Sequence, residues 1–161
     1  MRREDFERLY AEHARPVLGF LAYRTVDRAL AEDLLAETFE KAYRARRSFD
    51  PRRGGDRTWI YAIARNCMRD HARRRGAEER ALTRIAAGAP QSVYDLDRVE
   101  DRDVVYRALH RLSGEEREAI ALRYGADLTV PEIASLTGEP LSTAEGRVYR
   151  ALRKLRDELS E

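Results

Sequence analysis

The chain of 161 residues is long enough for one medium domain or two small ones, and its 43% apolar content can fill a core. With 37% charged residues the net charge is still only +2, so partner choice must rest on local rather than overall charge. The single cysteine excludes an internal disulfide, and no run approaches a membrane span or a signal-peptide core, so a cytoplasmic protein is expected.

Helical spacing begins at once. "EDFERLYAEHARPVLGFLAYRTV" places Phe6, Leu9, Tyr10, Val17, Leu18 and Leu21 on a helical repeat, with Pro16 expected to bend or break it. "DRALAEDLLAETFEKAYRAR" repeats the pattern with Leu30, Leu34, Leu35, Phe39 and Tyr43, and Asp27 stands where an N-cap belongs. "SFDPRRGGD" (48–56) reads as a loop from its proline and paired glycines.

The third helix is expected from Thr58 to about Arg75. Ile60, Ile63, Ala64 and Cys67 fall at i, i+3, i+4 and i+7 and form its apolar stripe, which makes Cys67 a buried structural thiol. Arg65, Arg69 and Arg73 step by four along another face, in line with Tyr61, and are expected in solvent. Residues 65–75 hold five arginines opposed only by Asp70. A solvated charged face is the ordinary reading of such a run, but phosphate is the common partner of a line of one sign.

Periodicity then fades. Residues 76–98, with Gly, Ala, Pro and Ser, read as a flexible linker holding at most a short helix near Ala81–Ala87. It divides the chain into an N-terminal helical domain (1–75) and a C-terminal one (99–161). The expected fold is therefore all-α, with two small helical domains. In the second domain Ser113–Glu116, Thr129–Glu132 and Ser142–Glu145 each match the capping box S/T-x-x-E and mark three helix starts. "SLTGEP" between the last two supplies Gly138 for the turn and follows the small Ala134, which is a helix-turn-helix pattern. Leu141, Ala144, Val148, Leu152 and Leu155 are expected to face the core of this domain. Thr143, Arg147, Tyr149, Arg150, Arg153 and Lys154 are left on a basic outer face suited to duplex DNA.

No catalytic constellation emerges. His13, His71 and His110 are far apart in sequence, one cysteine makes no metal cluster, and "RRGGD" lacks the lysine and spacing of a phosphate loop. No enzyme activity, metal or cofactor is expected.

Two basic helical modules, the second a helix-turn-helix, together resemble an extracytoplasmic-function RNA polymerase sigma factor over nearly the whole chain. "AEDLLAETFEKAYR" is similar to that family's core-polymerase-binding helix, "TWIYAIARNCMRDHARRR" to its promoter-melting helix, and the stretch from "LSGEEREAI" to "RALRKLR" to its upstream-element domain. The resemblance implies promoter recognition and melting, with an anti-sigma factor as a further partner. It implies that Asp33, Glu37 and Phe39 meet the clamp helices of the largest polymerase subunit, although Phe39 fits a core position equally well. Phe49 and Asn66 match positions that capture a base flipped from the duplex. Trp59 and Tyr61 are neighbouring aromatics, Trp59 suiting the core at least as well as base stacking, and Arg65, Arg69 and Arg73 would track the single strand. Ala36 replaces the family's usual glutamine, and Glu145 and Gly146 replace a common basic residue and serine. The competing reading is an autonomous helix-turn-helix regulator whose N-terminal half signals or dimerises.

Overall fold

The computed structural model describes residues 1–83 and 100–160, and all regular structure among them is helical. Helix α1 (Arg3–Thr25) buries Phe6, Leu9, Val17, Phe20 and Leu21. Pro16 lies inside this helix without ending it, contrary to a break there. The buried residues directly after it hold the segment in place although proline forfeits one backbone bond.

Helix α2 (Arg28–Ala45) starts where its cap predicts: Leu30 N–H donates to the Asp27 carboxylate at 3.0 Å, a contact worth about 1 kcal/mol. The two helices pack edge-to-face through aromatic rings, with Phe6 and Tyr43 at 5.1 Å and Tyr10 and Phe39 at 4.8 Å between centroids. Residues 48–56 form the expected connection, in which Asp50 accepts from Arg52 N–H at 3.0 Å and closes a short 3₁₀ turn.

Helix α3 spans Asp56–Thr83 and so runs through the first eight residues of the stretch expected to be linker. "GAEERALT" is rich in helix-favouring Ala, Glu, Arg and Leu, and backbone propensity carries the helix on without an apolar stripe for the sequence to advertise. The rest of the expected linker, 84–98, and most of its short helix lie outside the described residues.

The second half contains α4 (Glu100–His110), α5 (Gly114–Ile120), a π-type turn (Ala121–Gly125), α6 (Val130–Thr137) and α7 (Leu141–Leu159). Two capping boxes form as expected. Ser113 and Thr129 accept from the N–H groups of Glu116 and Glu132, and those glutamates accept in return at 2.8 and 2.7 Å. The third does not. Pro140 stands at the N-cap of α7, its carbonyl accepts from Thr143 and Ala144, and Ser142 falls inside the first turn. Gly138 takes φ 70° after α6 and donates to the Ala134 carbonyl, so the turn is the tight one expected.

The two helical domains pack directly on each other. Phe20, Tyr61, Leu122, Ala126, Leu128 and Ile133 belong to one apolar cluster that runs across both. Helix α1 meets the π-type turn backbone to backbone: a Cβ on Gly125 would lie 2.9 Å from the Gly19 carbonyl oxygen and 3.0 Å from Phe20 Cα. Only glycine allows that approach. A second cluster joins Val26, at the end of α1, to Leu109, Leu112, Ile120 and Ala151.

Candidate nucleic-acid interface

Helix α3 is buried on more than one side. Ile60, Ala64 and Cys67 face the N-terminal core as the sequence predicts, but Tyr61, Arg65 and Met68 are buried as well. Arg65 is therefore not in solvent. Its Nε donates to the Glu118 carboxylate at 2.5 Å and its Nη1 to the Leu136 carbonyl at 3.3 Å, both in the C-terminal half. Tyr61 stacks edge-to-face on Phe20 at 5.8 Å, and burial pushes its phenol up to about 12. Both residues depart from the solvent-facing line expected of them, because the C-terminal half covers that face. Arg69 and Arg73 stay exposed, Arg73 beside Asp70 one turn away.

The start of α3 gathers the other residues singled out. Trp59, half-buried, packs on Phe49 of the preceding loop with ring centroids 5.1 Å apart and planes tilted by 55°. Asn66 lies seven residues after Trp59, hence two turns on along the same side of the helix, and it is exposed. Arg73 falls a further seven residues along. An aromatic pair, an amide and a cation thus follow one line.

On α2, Asp33 is exposed and Glu37 is half-buried, with Lys41 Nζ at 2.7 Å from its carboxylate. Phe39 is 5% exposed, so its ring serves the α1–α2 core in this arrangement.

On α7, Ala144 and Val148 point inward, whereas Leu141, expected in the core, is exposed at the helix start. Thr143, Tyr149, Arg150, Arg153 and Lys154 are exposed. Arg147 is held differently: its Nη1 lies 2.7 Å from both oxygens of Glu139, and that bond raises its already high pKa. Lys154 Nζ reaches Glu116 at 3.1 Å. Gly146 has a local use, since a Cβ there would lie 3.0 Å from Nη1 of Arg150. The missing side chain leaves room for that guanidinium against the helix.

Several residues of consequence escaped the sequence reading. Arg57 ties α3 to the C-terminal half through Glu132 at 3.1 Å and the carbonyls of Ala126 and Asp127 at 3.3 and 2.9 Å. Glu118 and the glycine pair are equally silent locally. His13 is not isolated in space, its Nε2 lying 3.8 Å from both Glu12 and Asp56.

Comparison with known proteins identifies the family. Residues 9–78 match Sigma-70 region 2, and residues 102–155 match Sigma-70, region 4. The RNA polymerase sigma factor CarQ of Myxococcus xanthus is 35% identical, with 99% of this chain aligned to 91% of that one. The ECF sigma factor RpoE of Cereibacter sphaeroides is 33% identical over 96% of this chain and 86% of its own. The chain belongs to the extracytoplasmic-function sigma factors. Among solved structures, the sigma factor RpoE of Bartonella quintana, crystallised with the anti-sigma factor NepR, superposes with a TM-score of 0.79 at 27% identity over 98% of each chain. CnrH, bound to the cytosolic domain of CnrY, gives 0.73 at 26% identity over 99% of this chain and 90% of its own. As a sigma factor the chain directs transcription initiation on promoter DNA together with RNA polymerase and is not an enzyme. The region 2 match removes the autonomous-regulator reading. No helix among the described residues is long and apolar enough to cross a membrane.

Proposed function

We propose that this sigma factor divides its work along the chain, in the cytoplasm. The outer edge of α2, with Asp33 and Glu37, binds the clamp helices of the largest polymerase subunit. The loop and α3 hold the melted strand, with Phe49 and Asn66 capturing a flipped base and Arg69 and Arg73 following its phosphates. The outer face of α7 binds the upstream duplex, with Thr143, Tyr149 and Arg150 nearest the base edges and Arg153 and Lys154 on phosphate. Arg65 and Arg147 join these surfaces only when Glu118 and Glu139 release them.

The line of Phe49, Trp59, Asn66 and Arg73 carries this reading. A base-stacking ring, an amide two helical turns further along the same side and then a cation make a track suited to single-stranded DNA. Base–aromatic stacking contributes about 1–3 kcal/mol per base, enough to bias strand opening when several contacts act together. The packing of both halves on one apolar cluster, together with the likeness to relatives bound by anti-sigma factors, supports a held state that an anti-sigma factor would favour and that must open on the polymerase.

Permanganate footprinting of promoter complexes tests the assignment. Phe49→Ala and Asn66→Ala should reduce reactivity of the melted strand with little change in the salt slope of binding. Arg69→Gln and Arg73→Gln should each lower that slope by about 0.7. Normal melting with all four replaced would reduce this face to a solvated surface.

A further inference from the structure

Between the two halves lies a cleft of about 290 Å³ whose walls include Arg24, Arg65 and Arg69 on one side and Glu118, Glu139 and Arg147 on the other. Its size is at the lower end of small-ligand sites, which start near roughly 300 Å³. Two of its four guanidinium groups are already neutralised, Arg65 by Glu118 at 2.5 Å and Arg147 by Glu139 at 2.7 Å. Arg24 and Arg69 have no carboxylate at ion-pair distance among the described residues. Nε of Arg24 is buried without a hydrogen-bond partner. The remaining wall carboxylate, Glu115, is on the rim with its side chain 80% exposed, and it leans toward Arg147 at 3.8 Å. The cleft therefore holds two guanidinium groups without an ion pair among the described residues, Arg24 half-buried with Glu118 as its nearest opposite charge and Arg69 exposed at the opening.

We propose that this cleft is a binding site for a phosphate-class oxyanion, free or at the end of a nucleotide, held between Arg24 and Arg69. A guanidinium presents parallel N–H donors that match phosphate oxygens bidentately, and two such forks satisfy a tetrahedral anion better than a single carboxylate could. Room for the Arg24 fork comes from Gly114, where a Cβ would lie 3.3 Å from Nη2. The electrostatics agree with the geometry: burial lowers the pKa of Arg24 most, Glu118 raises it, and Arg69 lowers it again. A guanidinium desolvated beside a like charge gains from an anion between them.

The walls come from both halves, so the anion binds only when they are closed and holds them so by mass action. It also occupies Arg69, which the melted strand needs. Phosphate would thus oppose promoter opening at the same residue that promotes it.

Isothermal titration of the full chain at low ionic strength, with inorganic phosphate and separately with a nucleoside triphosphate, tests the site. Saturable one-site binding is expected. Arg69→Gln, an exposed position that should spare the fold, and Arg24→Gln should each weaken it by at least about tenfold. Arg3→Gln, on the far end of α1, should leave it unchanged. Tighter binding of the triphosphate would identify a nucleotide as the source, and equal binding would identify the free anion. Absence of saturable binding to both ligands, or an equal loss in Arg3→Gln and Arg69→Gln, would overturn the proposal. If Arg24→Gln fails to fold, Arg69→Gln alone decides.

Discussion

Helices α3 and α7 carry matching rows of arginine, Arg65, Arg69 and Arg73 on one and Arg147, Arg150 and Arg153 on the other. In each row the first arginine is bonded to a glutamate and the outer two are exposed. The partners differ in origin. Glu139 precedes α7 by two residues and belongs to its own domain, and this pair keeps 25% and 28% exposure. Glu118 comes from the other half of the chain, and the Arg65–Glu118 pair keeps only 9% and 16%. Two rows that look alike in sequence thus stand under different controls. The state of Arg147 is set locally, whereas that of Arg65 depends on whether the halves touch.

Replacing the two glutamates in turn should break the likeness most clearly. Glu118→Ala leaves a buried guanidinium without its partner and should destabilise the closed form by about 3 kcal/mol. Glu139→Ala, at a more exposed pair, should cost about 1 kcal/mol or less. Urea denaturation of both variants checks this, and Arg65→Met combined with Glu118→Leu should recover most of the first loss. Equal costs would mean that closure does not control Arg65.

The next effect comes from the glycine contact. Gly125→Ala places a Cβ against the backbone of Gly19 and Phe20, where no side chain can yield, and should cost about 1–3 kcal/mol. Hydrogen exchange should then rise along the α1 segment around Gly19 and over Tyr61 and Arg65, while the segment of α2 buried around Leu34 stays protected. A uniform rise would show that the domains do not separate as units.

The smallest effect sharpens the C-terminal side alone. Ser113→Ala removes the cap of α5 and should cost about 1 kcal/mol without altering the interdomain contacts. Bonding from the Ser113 N–H holds the Glu116 carboxyl below its ordinary value, with Lys154 adding to it. A carboxyl depressed on folding stabilises above its unfolded pKa, and the gain is lost as pH falls through the folded value. Alanine keeps that backbone N–H, so the variant that tests the linkage is Glu116→Gln, which cannot titrate: its difference from the parent should shrink as pH falls through and below the ordinary glutamate range, as thermal melts at stepped pH would show.

Local signals were legible and distant ones were not. Asp27, Ser113 and Thr129 act within four residues of themselves, so the sequence places their helix starts correctly. Ser142 has the same signature, yet Pro140 starts α7 earlier and leaves no cap for it to make. Apolar spacing found the inner stripe of α3 but not the second one, because an arginine stands in its middle. The atoms that bury Arg65 lie 53 and 71 residues away, at Glu118 and Leu136, and no periodicity carries information over that span. Phe49 and Trp59 come together because the loop between them is short. The Arg24–Arg69 cleft required the fold itself.

Val26 closes α1 with φ 54°, a left-handed conformation that a β-branched residue rarely accepts and that costs on the order of 1–3 kcal/mol. Its side chain is 3% exposed, packed in the cluster with Leu109, Leu112 and Ile120. The bend between α1 and α2 is thus held against its own preference by contacts from the opposite end of the chain. Loss of those contacts removes the burial that offsets this cost, and a change in the angle at which α2 leaves α1 would relieve it. By thermodynamic reciprocity, a ligand on α2 that favours the relaxed angle weakens the grip on the C-terminal half by the same free energy. The joint between the first two helices is a spring, and its catch is made of residues more than eighty positions away along the chain.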